Sequence, residues 1–87
     1  MPYIKPTVRS EFSGWLNPLT RFIEERGVTP GELNYLITKL MHAALPKNAG
    51  YEDYMDSYAA AIGASMEFYR RRLGPYEDEK IKENGDV

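Results

Sequence analysis

Apolar residues recur along this chain at the spacing of three and four that an α-helix requires, most extensively from Tyr51 to Leu73. There Tyr51, Met55, Tyr58, Ile62, Met66 and Tyr69 fall on one side, with Tyr54, Ala59, Ala61 and Phe68 flanking them. A strand reading of the same residues fails. Alternation by two would put Glu52, Tyr54, Asp56 and Tyr58 on one face and leave no coherent side to bury. Ala59, Ala60 and Ala61 add helix propensity. At 1.5 Å per residue the segment would run roughly 34 Å, the breadth of a small domain, so the pattern predicts one long helix on which the rest packs. Glu52, Asp53 and Asp56 near its start and Arg70, Arg71 and Arg72 near its end suit the helix dipole, and Gly74-Pro75 predicts a left-handed cap and a stop. Gly63 in the interior costs about 1 kcal/mol relative to Ala, which points to a backbone passing close by, from this chain or another.

Two shorter helices are predicted upstream. Asn17-Pro18 has the form of an N-cap followed by a proline at the first helical position; Leu19, Phe22 and Ile23 continue a stripe that Gly27 ends. Thr29-Pro30-Gly31-Glu32 has the form of a capping box, and Leu33, Leu36, Ile37, Leu40, Met41 and Ala44 make the cleanest apolar stripe of the chain before Pro46. The expected organisation is therefore a single all-α domain over 1–87: a lead-in arm (1–16), helix one (17–27), helix two (29–45), a long helix three (51–73) and an acidic C-terminal arm (75–87), ordered or partly ordered. The short linker from Pro46 to Gly50 folds helix three back on helix two, giving a three-helix antiparallel arrangement.

Composition narrows the function classes. No cysteine is present, which removes disulfide frameworks, thiolate metal sites and cysteine catalysis. No run approaches the about 18 apolar residues of a membrane span, and the chain reads as soluble, unexported and cytoplasmic. A net charge of -2 argues against a protein whose main task is coating nucleic acid. A chain of 87 residues builds only a marginal core, and seven tyrosines supply apolar area with polar tips, so a homo-oligomer, with a dimer favoured, is expected.

Leu33 to Leu40 (LNYLITKL), Glu67 to Val87 (EFYRRRLGPYEDEKIKENGDV) and the opening MPYIK together resemble a family of short uncharacterised proteins found among bacterial, phage and environmental sequences, a domain of unknown function. In that family a Leu-Asn-Tyr-x-Ile-Thr segment precedes a Tyr-Arg-Arg segment, and Pro-Tyr-Glu-Asp leads into a closing Glu-Asn-Gly-Asp-Val. The resemblance implies a small helical protein and no activity. The stretch from Tyr51 to Ala61 departs from it in being unusually rich in Tyr and Ala.

Two surfaces stand out as candidates. Tyr54, Tyr58, Ala61 and Ser65, with Gly63 nearby, are expected to form a homodimer contact. Tyr69, Arg70, Arg71, Arg72, Tyr76 and Lys80 place cations beside aromatics, a combination that binds phosphate or stacks on bases, although Glu77, Asp78 and Glu79 are positioned to pair those cations within the chain. Glu83 and Asp86, taken with Glu77, Asp78 and Glu79, offer hard oxygens for a divalent cation, with Glu24-Glu25 or Glu52-Asp53-Asp56 as a second set. Their spacing is generic, however, and Glu83 and Asp86 straddle a glycine. His42, the single histidine, lacks a cysteine or carboxylate at ligand spacing. No catalytic residue, metal or cofactor is assigned. The reading is a non-enzymatic helical interaction or accessory protein that self-associates; the alternative is a weak nucleic-acid or nucleotide binder acting through Arg70 to Arg72.

Overall fold

The computed structural model describes residues 1–87. Helix accounts for 79% of the chain and no strand is present; three helical segments follow one another, the last of them long. The first, α1, spans Pro6–Arg26. The expected start at Asn17-Pro18 is thus eleven residues too late, and most of the supposed lead-in arm is helix. Pro6 takes the first helical position, and the Lys5 carbonyl accepts from the amides of Val8 (2.9 Å) and Arg9 (3.0 Å) without any side-chain cap. Pro18 lies inside the helix, where it removes one amide donor. The carbonyl its ring would crowd belongs to residue i−4, which here is Gly14.

Gly27 ends α1 with φ 77, its amide donating to the Ile23 carbonyl at 2.7 Å. The turn into α2 (Pro30–Ala43) is pinned by polar groups. The Glu32 amide donates to Thr29 Oγ1 (3.1 Å), the Thr29 amide donates to the Glu32 carboxylate (2.9 Å), and the Arg26 guanidinium reaches the same carboxylate through both terminal nitrogens (3.1 and 2.8 Å). α3 (Tyr51–Phe68) starts after Gly50, whose amide donates to Asp53 Oδ2 at 2.9 Å. Its contact with α2 is sealed by Ser57, which donates to the Met41 carbonyl at 2.8 Å.

The predicted stop at Gly74-Pro75 does not occur. Tyr69–Leu73 form a π-helical turn and α4 (Gly74–Asn84) follows directly, with Gly74 itself right-handed at φ -56, ψ -54. The wider turn explains how a proline is passed without a break. In a regular α-helix the Pro75 ring would press on the carbonyl four residues back; the extra residue in the π turn shifts that carbonyl aside, and the Tyr69 carbonyl instead accepts from the Gly74 amide. Tyr51 to Asn84 therefore form one rod, about 50 Å long at 1.5 Å per residue, which matches the longest dimension of the molecule, 51 Å. Gly63 does not interrupt it. Gly85, at φ 85, closes it with its amide on the Ile81 carbonyl (2.8 Å), so the acidic arm is helical to Asn84.

The helices meet at their ends and not along their lengths. No Cα of α1 lies within 8 Å of one in α2 or α3. The chain start nevertheless returns to the rod, where the Tyr3 hydroxyl donates to Glu67 (2.8 Å) and accepts from Arg71 (3.1 Å). The expected cover of part of the long helix comes from α2 alone, around Met41 and Ser57, with none from α1, and none of the 87 residues is buried. The accessible surface is 7988 Å², against about 5,200 Å² for a compact monomer of this mass. The radius of gyration is 16.5 Å, where a compact domain of this length has about 12 Å.

Two measurements test this account. Pro18→Ala restores a helical amide and is expected to stabilise α1 by about 1 to 3 kcal/mol, read as a raised melting temperature. The second concerns the first corner. Hydrogen bonding from Arg26, and next from the Thr29 amide, holds the Glu32 carboxyl down to about 2. A carboxyl depressed from about 4.3 in the unfolded chain contributes stability above that pH and loses it as the pH falls toward 2. Wild-type helicity measured by circular dichroism is expected to decline across that window more than that of Glu32→Gln; parallel acid curves would contradict the assignment.

Candidate self-association surface

The tyrosine and alanine face of α3 survives in three dimensions with one exception. Tyr54, Tyr58, Ala61 and Ser65, spaced four, three and four, fall within about 60° of one another around the helix. Tyr54 and Tyr58 are 54% and 55% exposed. Gly63 lies two residues from both Ala61 and Ser65, hence about 200° around the helix, on the opposite side. A Cβ placed on it would meet nothing within 4 Å. The close backbone expected at this glycine is not supplied by its own chain.

A groove of about 440 Å³ runs along this side of the rod, lined by Tyr58, Ala61, Ile62, Ser65, Met66 and Tyr69, with Met41 of α2 at one end. The two small residues make its floor and the larger ones its walls. Tyr54 lies one step further, beside His42, Thr38, Met41, Leu45 and Ser57 around a smaller hollow of about 160 Å³. His42 is thereby a wall residue next to a tyrosine ring, without a carboxylate beside it.

The cationic cluster is arranged differently from its expectation. Because the rod continues past Leu73, Arg70, Arg71 and Arg72 sit near its middle and do not stabilise a helix end. Most members of the cluster have partners. Arg70 pairs with Glu67, Arg71 donates to Tyr3, Lys80 pairs with Glu83 (3.0 Å) and lies 5.4 Å from the Tyr76 ring centre, and Tyr69 hydrogen-bonds Glu77. The Arg70 guanidinium, helped by the Tyr3 hydroxyl, holds the Glu67 carboxyl below its usual range, and the Glu77 carboxylate pushes the Tyr69 phenol up. Arg72 alone of the three arginines has no hydrogen bond or ion pair. The acidic residues do not converge either, since no group of three metal-ligating side chains comes together.

The face that the sequence reading missed is on α1. Val8, Phe12, Trp15, Leu19 and Phe22 follow at intervals of four, three, four and three, the spacing of a helix-pairing seam. Phe12 is 57% exposed and Trp15 85%. The spacing is present in the sequence, but Pro18 within it reads as a helix start and divides the row.

A family model described as Domain of unknown function (DUF6899) matches residues 1–87. The chain belongs to this family. No curated protein and no solved structure matches it. No helix is long and apolar enough to cross a membrane. Membership of the DUF6899 family brings no assigned chemistry, so geometry alone bears on what the faces do.

The latch formed by Tyr3 is open to direct measurement. Tyr3→Phe removes both the hydrogen bond to Glu67 and the acceptor for Arg71, and is expected to cost about 0.5 to 1 kcal/mol, read from the urea midpoint. An unchanged midpoint would mean that this latch contributes nothing to stability.

Proposed function

We propose that this chain is a non-enzymatic interaction protein that acts as a self-associated helical assembly, in its simplest form a homodimer. The observation that carries the reading is the absence of any buried residue in a chain whose helices are nonetheless well formed. Relative to an unfolded chain of this mass the fold removes only about 45% of the surface, where domains of about 60 residues remove about 60%. The missing cover is roughly 2,700 Å² per chain, and two chains that supply it to each other would share an interface at the upper end of the obligate range.

An accessory role in a bacterial or phage setting, inside the cytoplasm, belongs to this proposal; the resemblance of the LNYLITKL and closing ENGDV segments supports the setting. The other reading, nucleic-acid or nucleotide binding through Arg70 to Arg72, draws support only from Arg72, whose charge is free; the carboxylates beside Arg70 and Lys80 oppose it.

Light scattering on the full chain is expected to give twice the 10.0 kDa chain mass, with Tyr58→Arg shifting the population toward one chain. A single-chain mass for the wild type at every concentration would overturn the proposal. Salt-sensitive binding of single-stranded nucleic acid, lost in Arg72→Ala, would favour the other reading.

A further inference from the structure

We propose that the aromatic seam of α1 is the element that docks into the α3 groove of a second copy of this chain, the two copies exchanging α1 reciprocally. This rests on the self-association just proposed and names its surfaces. Three observations carry it.

The first is shape. α1 presents Phe12 and Trp15, 57% and 85% exposed, in a row that Leu19 and Phe22 continue into a hollow shared with Val28, Tyr35 and Leu36, while the α3 groove has the small residues Ala61 and Ser65 in its lining and about 440 Å³ of space. Ridges of large residues seat into grooves of small ones when two helices pack.

The second is that α1 does not fill the groove of its own chain. The three residues between α1 and α2 are locked by Arg26, Thr29 and Glu32, and the start of α1 is tied to the rod through Tyr3. With both ends held, no Cα of α1 comes within 8 Å of α3. The occupant therefore comes from another molecule.

The third is area. A two-fold axis makes the α1-to-groove contact occur twice in one dimer. Each chain then covers both its α1 seam and its α3 groove, two of the bare faces that make up the roughly 2,700 Å² of excess area.

Trp15 is the only tryptophan, so its fluorescence reports on this seam and nothing else. In the wild-type assembly its emission is expected to be blue-shifted and protected from acrylamide, moving to the solvent-exposed value on dilution in step with the fall in mass by light scattering. The chain has no cysteine, so Phe12→Cys combined with Ala61→Cys tests the pairing directly: oxidation is expected to give a covalent dimer, while either single variant gives markedly less of this species. A dimer in which Trp15 stays fully quenchable and the double variant does not cross-link overturns the docking but leaves self-association standing. A single-chain mass throughout overturns both.

Discussion

Uncovered apolar surface is the constraint from which the rest of this structure follows. Taking a little over half of the roughly 2,700 Å² of excess area as apolar, its burial at about 25 cal/mol per Å² amounts to some 40 kcal/mol. A folded domain is stable by only about 5 to 15 kcal/mol net. Even if denatured-state compactness reduced the first figure by about 40%, it would exceed the second. The helices are locally well specified, yet a helix in water gains most of its stability from the face it packs. Three helices with bare faces thus form a shape that calls for a complement.

The polar groups and the apolar groups of this chain act in different places. Hydrogen bonds and ion pairs hold the corners: Arg26, Thr29 and Glu32 between α1 and α2, Ser57 between α2 and α3, Tyr3 between the chain start and the rod. Apolar side chains lie on the lengths between corners, where the same chain meets them only in part and leaves none of them buried. Exposed polar contacts are each weak and do not substitute for a core. They set directions, so that the faces are presented in a defined arrangement before any burial occurs, which lowers the entropy lost on association.

What was legible in the sequence follows the same division. The Thr29 capping box, the Gly27 end of α1 and the three-four pattern of α3 are local signals, and local signals survive without tertiary cover. Both errors of extent came from proline. Pro18 reads as a first-turn residue after Asn17 when the true start, at Pro6, has no capping side chain and carries Arg9 in its first turn. Pro75 reads as a stop after a glycine when a π turn absorbs it. At Pro75 the continuation runs through the Tyr69 carbonyl, which accepts from the Gly74 amide, and a rule that scores proline alone does not include it. The arginine cluster shifted role for the same reason, because a rod that runs on to Asn84 has no end at Leu73 for those charges to cap.

Gly63 shows how the missing cover limits inference from one chain. A glycine in mid-helix implies a neighbour where a side chain would intrude, yet the space around it is empty and it faces away from Tyr58 and Ala61. If the groove side of α3 receives α1 of a second copy, the Gly63 side stays at the rim of that dimer. Gly63→Ala then gains about 1 kcal/mol of helix propensity with nothing to oppose it. A loss of stability on that substitution would mean that a backbone of the assembly crosses the back of the rod as well, so that the rod is embraced from two sides. The sign of this one substitution therefore separates a two-chain assembly joined only through the groove from a more extensively wound one.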